Sequence, residues 1–400
     1  MAEKKTVEKK VDKPAFLDKN PMDMTDEELY KALAWKMKRR AEDEDGYYGK
    51  SKYLPLIFEK MLRGREDAVI LLNLPGWPAD IAPKVNMTED EVESRIQVLG
   101  EKCIAFKTSK GWFLPRSMVG QLHDAGLCVP KYDEEYGEEF FLLWEAFCNL
   151  EYFLYPSPMI GEEKPDTKKF TRILPDRRTL AKDLELAPWE DLKVILDILD
   201  EESKLGFFPC SCLRAMPDDP NADDYWKCIT WGRGYEYWSG KEGSLHTLSS
   251  DEMMAEIDRM HGKGMATIAP NYKGFASAPG VQMFCNCHAD HCDVLRPAIL
   301  HGYEPQTRVS PSRYLMTVKD TENCKSCQKC VEQCMWGAAQ LKYIPDGKWT
   351  TRGKWKAWVD TDKCVGCGNC ALVCPINNRE LRLKRDPAHV PDEKPETGGG

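Results

Sequence analysis

The spacing of apolar residues near the start of the chain predicts an amphipathic helix. Thr25 and Glu28 have the spacing of a capping box, in which each side chain satisfies a free backbone N–H of the other residue. Leu29, Leu33 and Met37 then recur at the helical period. The helix is therefore expected to begin at Thr25.

A series of short elements is predicted over the next part of the chain. Apolar stripes indicate several helices, and a second capping box, formed by Thr88 and Glu91, begins the last of them. Two short segments on either side of a Ser-Lys-Gly turn predict a hairpin. The helices are expected over 54–62, 66–72, 79–84 and after Thr88, and the hairpin strands over 104–107 and 112–115.

Two further elements are predicted downstream. Pro188 is expected to open a helix, because proline suits the first helical turn, and Leu192 begins the apolar face of this helix. Near the C-terminus, segments 340–344 and 356–359 are expected to form a hairpin that turns at residues 345–347.

Composition and charge narrow the class of protein. The 400 residues are 42% hydrophobic, which is enough for several globular domains. The formal net charge of -9 opposes attraction to nucleic acid or anionic lipid. No apolar run is long enough to span a membrane, and the first residues lack the apolar segment of a secretory signal. We expect a soluble cytoplasmic protein, in which reduced thiols favour metal binding over disulfides.

The 17 cysteines fall into three groups. Eight near the C-terminus form two runs with the same spacing: Cys324, Cys327, Cys330 and Cys334, then Cys364, Cys367, Cys370 and Cys374. Six lie in the middle of the chain: Cys210, Cys212, Cys228, Cys285, Cys287 and Cys292. Cys103, Cys128 and Cys148 are isolated, and isolated cysteines usually behave as small buried apolar side chains.

The two C-terminal runs resemble those of the bacterial two-cluster ferredoxin family over residues 315–385. In this spacing three thiolates bind one [4Fe–4S] cluster and the fourth binds the other cluster. The resemblance implies one cluster on Cys324, Cys327, Cys330 and Cys374, and a second on Cys364, Cys367, Cys370 and Cys334. Met335 stands where the family usually has proline. Gly366 and Gly368 are expected to let the backbone approach the sulfur atoms.

The middle cysteines predict a third metal site, because two Cys-x-Cys pairs from distant parts of the chain suggest that folding brings them together. Six cysteines are too few for two four-cysteine clusters. One additional [4Fe–4S] cluster is the preferred assignment, while a zinc site and no metal stay open. His288 and His291 are candidate ligands, because histidine can replace cysteine.

The middle stretch resembles a family of multi-cluster iron–sulfur proteins of anaerobic bacteria over residues 170–300. The resemblance rests on residues 172–175 and 186–192, the run from Cys210 to Arg214, and residues 285–287. It implies a winged-helix N-terminus, a cysteine-rich middle and a ferredoxin C-terminus.

The elements predicted over residues 51–125 resemble a winged helix-turn-helix domain in their order. Such domains often bind DNA through the second helix of the motif. Here that helix begins with four acidic residues between positions 89 and 93, against the single Arg95. Acidic groups oppose binding to phosphates, so docking of a partner protein is favoured over DNA binding.

We therefore expect an α+β multidomain protein that passes single electrons through [4Fe–4S] clusters to or from a partner reductase or dehydrogenase. It would be a non-catalytic component, since no catalytic residue and no Gly-rich phosphate loop can be named. A redox-sensing winged-helix regulator and a reductase with its substrate at the middle cluster are the alternatives. The expected division is an N-terminal arm and helix (1–50, with the first 20 residues disordered), a winged-helix-like domain (51–125), a helical connector (126–205), a cysteine-rich α/β domain (206–310), a two-cluster ferredoxin domain (315–385) and a disordered tail (386–400).

Overall fold

The structure is a computed structural model, and the residues that it describes form two units. The first unit contains Met1–Phe153 and Arg214–Pro217, and the second contains Leu154–Leu213 and Asp218–Gly400. The described residues are 12–38, 45–114, 122–123, 126–152, 171–219, 222–270, 284–292, 295–300, 302–344 and 355–385. The predicted turn at 345–347, the predicted tail and the first 11 residues of the predicted arm lie outside them.

The first unit is mainly helical. Helix α1 (Asp26–Lys36) begins with the predicted capping box, in which the Thr25 hydroxyl accepts from the Glu28 N–H and the Glu28 carboxylate accepts from the Thr25 N–H. The prediction of disorder up to residue 20 is wrong for Ala15–Asp18, which form a 3₁₀ turn. The helices that follow are α2 (Leu54–Met61), α3 (Arg65–Leu72), α4 (Pro78–Val85), α5 (Glu89–Glu101), Asp133–Tyr136 and Glu138–Phe147.

A hairpin follows α5, as predicted. Its strands are β1 (Phe106–Thr108) and β2 (Gly111–Phe113), and Gly76 adds one antiparallel bridge to Trp112. The second predicted capping box, at the start of α5, is also present. Helices α3 and α5 are joined through the buried Asp67 carboxylate, which accepts hydrogen bonds from the Arg63 and Arg95 guanidinium groups over 3.0 and 2.9 Å.

Cys103, Cys128 and Cys148 are all buried in the first unit. Their burial agrees with the prediction that they are small apolar side chains in a core.

A seven-stranded sheet forms the centre of the second unit. Its strands are β3 (Thr171–Ile173), β4 (Leu205–Pro209), β5 (Trp226–Trp231), β6 (His246–Thr247), β7 (Ala266–Pro270), β8 (Phe284–Cys287) and β9 (Val309–Ser310). They lie in the order β6-β4-β5-β8-β7-β3-β9. Neighbours are antiparallel except β3 and β9. The sheet therefore differs from the mainly parallel sheet that is typical of the predicted α/β class.

Helices cover this sheet and close its core. Apolar side chains of Leu192–Glu202 and Ser250–Gly262 share one buried cluster with residues of β4 and β5. The predicted start at Pro188 is wrong, because the helix begins at Leu192 and Asp191 caps it by accepting from the Lys193 N–H over 3.0 Å. Shorter helices are Ser211–Arg214, Gly232–Ser239 and Arg296–Leu300.

The C-terminal part of the second unit contains two antiparallel strand pairs. Strand β10 (Tyr314–Val318) pairs with β13 (Arg379–Leu383), and β11 (Ala339–Tyr343) pairs with β12 (Trp355–Val359). The second pair confirms the hairpin strands predicted near the C-terminus. Two short helices, Lys329–Glu332 and Asn369–Leu372, each lie within one run of cysteines. Within the described ranges, no helix combines the length and apolar character that crossing a membrane requires.

Candidate metal centres

The first cavity lies beside the first run of cysteines. Its wall includes Cys324, Cys327 and Cys330 from that run and Cys374 from the other run. Strand residues Leu341 and Ala357 complete the apolar side of this space of about 390 Å³, part of which is open to solvent. The four cysteines that the sequence assigns to one cluster are thus neighbours in space.

The second cavity repeats this arrangement with the roles of the runs exchanged. Cys364, Cys367 and Cys370 line it together with Cys334 from the first run, around about 340 Å³ of space. Each run therefore contributes three thiols to one cavity and one thiol to the other, which is the crossed pattern of two-cluster ferredoxins.

Backbone N–H groups point at the sulfur atoms of both cavities. The Cys324 sulfur accepts from the Ala357 N–H of β12 over 3.3 Å, and the Cys334 sulfur accepts from the Ala339 N–H of β11 over 3.4 Å. The Cys374 sulfur accepts from the Asn378 N–H over 3.3 Å. Hydrogen bonds to cysteine sulfur are among the features that set the potential of an iron–sulfur cluster.

The second cavity needs positive charge to hold thiolates. Burial, together with the nearby Cys334, raises the pKa of Cys367 to about 12, and burial raises the pKa of Cys370 well above its usual value. An iron centre supplies the missing positive charge and removes the thiol protons, so the donor set fits a metal cluster better than four free thiols.

Arg379 is a buried cation that no sequence pattern predicts. It lines the first cavity, and its charge favours the thiolate forms of Cys330 and Cys370, against burial, which raises the pKa of both. Its Nη1 is buried without a hydrogen-bond partner among the described residues. An unsatisfied guanidinium N–H beside four thiols fits a cluster that carries negative charge.

The two cysteine loops have matching left-handed backbone positions but different residues. Ser326 and Gln328 adopt φ values of 55° and 65° in the first loop, and Gly366 and Gly368 adopt 72° and 99° in the second. A Cβ atom on Gly366 would overlap the Tyr314 carbonyl oxygen, and one on Gly368 would overlap the Thr179 hydroxyl. Close packing against the rest of the unit therefore requires glycine at both positions of the second loop. The sequence predicts a second role for these glycines, which is to let the backbone approach the sulfur atoms.

The six middle cysteines are also brought together. Strand β4 leads directly to Cys210, whose thiol contacts those of Cys212 and Cys228. Cys228 of β5 and Cys285 of β8 are register partners on neighbouring strands. The line of thiol contacts continues through Cys287 to Cys292. Folding thus unites the two Cys-x-Cys segments as expected.

A fully buried lysine lies beside these thiols. The Lys227 ammonium is 2.6 Å from Nε2 of His291. Burial alone lowers the pKa of Lys227, but the thiolate charges of Cys210 and Cys287 outweigh it and the pKa is raised. A charged lysine in this position favours thiolates over neutral thiols. No periodic signal in the sequence distinguishes Lys227 from a surface lysine.

The two candidate histidine ligands face charged or polar neighbours. His291 contacts Lys227 through Nε2, and its Nδ1 lies 3.4 Å from the Asp219 carboxylate. Nδ1 of His288 accepts from the Asp290 N–H over 3.4 Å. Neither of these contacts joins a histidine nitrogen to a cysteine sulfur.

A buried polar chain runs past the middle site. His261 bonds to the Asp176 carboxylate over 2.8 Å and to the Thr267 hydroxyl over 2.9 Å. Thr267 donates to Asn286 over 2.7 Å, and Asn286 donates to the Lys227 carbonyl over 3.0 Å. No spacing pattern in the sequence predicts these hydrogen bonds.

Asp176, Asp258 and His261 bring their ligand atoms close enough together for a metal ion. However, the Arg178 guanidinium lies 2.5 Å from the Asp176 carboxylate and 3.3 Å from that of Asp258. Burial opposes the charge on Asp176, but bonds from His261 and Arg178 hold the pKa of that carboxyl far below its usual range. The guanidinium occupies the place of a cation, so this group is an ion-pair network.

The second cysteine loop is anchored to the sheet part of the unit. The Cys367 carbonyl accepts from the Asp176 N–H over 2.8 Å, and the Asn369 amide donates to the Met265 carbonyl over 2.7 Å. The Gln333 amide, next to Cys334, donates to the His261 carbonyl over 3.1 Å. The second cavity is therefore the inner one.

Comparison with known proteins identifies the class of the C-terminal part. Residues 323–378 match the family model of the 4Fe-4S dicluster domain. The second unit thus ends in a ferredoxin-type 4Fe-4S domain, whose general activity is iron–sulfur electron transfer.

A curated relative agrees with this class. The chain is 58% identical over 24 residues to Ferredoxin-2 of Desulfomicrobium norvegicum. This match covers 6% of the chain and 41% of the length of that ferredoxin. No solved structure matches the chain.

Proposed function

We propose that the chain is an electron-transfer component that passes single electrons to or from a partner oxidoreductase. The main support is the pair of cavities, each lined by four cysteines drawn crosswise from both runs. Clusters of the [4Fe–4S] type supply one-electron redox chemistry when bound. The proposed ligands are Cys324, Cys327, Cys330 and Cys374 in the first cavity and Cys364, Cys367, Cys370 and Cys334 in the second.

The contacts between the three cysteine sites suggest an order in which electrons would pass between them. The loop between Cys287 and Cys292 meets the first run beside Cys334, because the Ala289 N–H contacts the sulfur of Met335. The first cavity includes the exposed Cys327. We infer that the first cavity exchanges electrons with a partner, and that the second lies between it and the middle site.

The middle site is proposed to hold one further [4Fe–4S] cluster, with zinc as the alternative. Four of its six cysteines would suffice as ligands, which leaves two thiols in reserve. The buried charge of Lys227 supports a centre with thiolate ligands and net negative charge, because an ammonium buried without such compensation is strongly unfavourable.

Metal analysis tests these assignments directly. Anaerobically purified protein should contain about eight irons and eight sulfides per chain if two [4Fe–4S] clusters are bound, and about twelve of each if a third is present. A Cys228→Ala/Cys285→Ala variant should lose about four irons if the middle site holds a cluster, or one zinc if it holds zinc. Fewer than about eight irons in the parent protein would contradict the two-cluster assignment.

The first unit is proposed to be winged-helix-like and to dock a partner protein. Three of the four acidic side chains at the start of α5, Glu89, Asp90 and Glu91, are exposed. Arg95, the helix's single basic residue, is paired with the buried Asp67. This arrangement disfavours phosphate binding, which the alternative of a redox-sensing regulator requires. Gel-shift binding to DNA that weakens steeply with salt would favour that regulator instead.

A reductase with substrate at the middle site is the second candidate function. The two reserve thiols and the neighbouring Lys227 and His291 favour it, because an iron that exchanged a thiol for substrate would lie beside a cation. A substrate-dependent change in the EPR spectrum of the parent protein, lost in Cys285→Ala, would support this candidate.

A further inference from the structure

The outer end of the ferredoxin-type domain has an unusual surface. In the first cysteine loop, Cys327 is exposed, and so are Lys325 and Lys329 on either side of it. Lys325 also lines the first cavity. A protein that contacts this loop therefore contacts residues that line the first cavity, where we propose that electrons are exchanged with the partner.

Exposed aromatic side chains lie next to this loop. Tyr343 and Trp355 are register partners at one end of the β11–β12 hairpin, and their rings pack edge to face with centroids 5.6 Å apart. Their exposed fractions are 44% and 53%, which is high for large apolar side chains. The Ser326 hydroxyl donates to the Trp355 carbonyl, so the aromatic pair is attached to the cysteine loop itself.

The charge of the domain is opposite to that of the chain. Residues 315–385 contain thirteen lysines and arginines against seven aspartates and glutamates, a formal charge of +6 before metal is bound. Each oxidised [4Fe–4S] cluster with its four thiolates adds about -2, so the domain with two clusters would carry about +2. The whole chain carries -9, so the remaining residues carry -15. Several cations of the domain are paired within the unit, for example Lys363 with Glu304. Lys325, which lines the first cavity, and Lys329 are both exposed.

We propose that Lys325, Lys329, Tyr343 and Trp355 form a docking surface for an acidic redox protein. This proposal rests on the electron-transfer function and names the chemistry of the partner at the first cavity. Lysines around an exposed aromatic pair attract and orient an acidic patch, and the aromatic rings supply apolar area at the centre of the contact. One electron then leaves the reduced domain and reduces the acceptor by one electron.

The test uses two acceptors of opposite charge. The full-length holoprotein, reduced anaerobically, is mixed with ferric rubredoxin, an acidic protein, or with ferric cytochrome c, a basic one. Each acceptor becomes ferrous as it takes one electron, and its absorbance reports the rate. We expect the rubredoxin rate to fall with rising ionic strength, and the Lys325→Glu/Lys329→Glu variant to lower it about tenfold or more at low salt.

A matched variant controls for total charge. Lys204→Glu/Lys241→Glu makes the same charge change beside the β4 and β6 side of the sheet, and its rubredoxin rate should stay within about twofold of the parent. Trp355→Ala should lower the rate while leaving its salt dependence unchanged. EPR spin counts and iron content, measured on every variant, report whether the clusters are intact.

The outcomes separate this proposal from the function on which it rests. Missing clusters in the parent protein would contradict the electron-transfer function itself. Intact clusters with equal rubredoxin rates in both lysine variants would overturn the docking surface alone. Binding of a nucleic-acid oligonucleotide that depends on Lys325 and Lys329, with unchanged rubredoxin rates, would assign the face to nucleic acid and also overturn it.

Discussion

The Ala289 N–H donates a hydrogen bond to the sulfur of Met335 over 3.3 Å. Ala289 lies in the loop between Cys287 and Cys292, and Met335 follows Cys334 at the position where two-cluster ferredoxins usually have proline. Met335, which departs from the ferredoxin pattern, therefore contacts the loop between two of the middle cysteines.

Met335→Pro should loosen this contact while leaving the two ferredoxin cavities able to bind iron. Proline restores the usual residue but removes the flexible thioether that accepts the Ala289 N–H. We expect unchanged iron content in the ferredoxin-type domain and faster alkylation of Cys292 in the metal-free protein, measured by mass spectrometry. Met335→Leu, which keeps the apolar volume, should alkylate at an intermediate rate. Equal rates in all three proteins would contradict this role of Met335.

Gly368→Ala should destabilise the second cavity. The added methyl group would overlap the Thr179 hydroxyl in a backbone conformation that disfavours alanine. We expect a loss of about 2 kcal/mol or more in stability, seen as faster bleaching of the cluster absorbance on heating. Gln328→Ala places alanine at the matching exposed position of the first loop and should have a much smaller effect.

Thr179→Gly gives a check on the cause of this effect. If overlap with the hydroxyl is responsible, Gly368→Ala combined with Thr179→Gly should be more stable than the sum of the single changes predicts. Strict additivity would mean that backbone strain alone explains the loss.

Arg379→Gln should change the midpoint potentials of the clusters proposed for both cavities of the ferredoxin-type domain. The guanidinium favours the charged forms of Cys330 and Cys370, which belong to different cavities. Loss of a buried positive charge disfavours the reduced, more negative state, so both midpoint potentials should become more negative by tens of millivolts. Arg379→Lys retains the charge and should shift them less. Potentials measured by EPR-monitored titration that do not move would exclude this role.

Lys227→Met should affect the middle site alone. Removal of the buried ammonium leaves the thiolates of Cys210 and Cys287 without compensation. If an iron–sulfur cluster is bound there, its potential should fall by on the order of 100 mV, a few kcal/mol of lost attraction at an effective dielectric constant near 20. The signals of the ferredoxin-type domain serve as the internal control. A zinc-loaded site would instead lose metal without any redox change.

Much of the arrangement could be predicted because it depends on local spacing. The crossed cavities follow from two runs of cysteines, and the starts of α1 and α5 follow from Thr25 and Thr88, whose side chains satisfy nearby N–H groups. The start at Pro188 was mispredicted because proline suits the first turn of a helix, while the side chain of Asp191, three residues later, caps it more effectively.

The rest depends on contacts between distant residues. Strands β3 and β9 contribute only three and two residues to the sheet, and their parallel pairing joins positions more than 130 residues apart. Such short strands give no clear periodic pattern. Lys227 and Arg379 look like ordinary surface cations in the sequence, and only the folded structure buries them beside thiols.

The anchoring of the second cysteine loop has a consequence for how electrons travel. A free ferredoxin diffuses between its donor and its acceptor, and its rate at each depends on its concentration. Here the bonds from Asp176 and Asn369 hold the loop against the rest of the unit. If both sites hold clusters, electron transfer between the inner cavity and the middle site would then be independent of protein concentration, and dilution would slow only electron exchange with the partner protein.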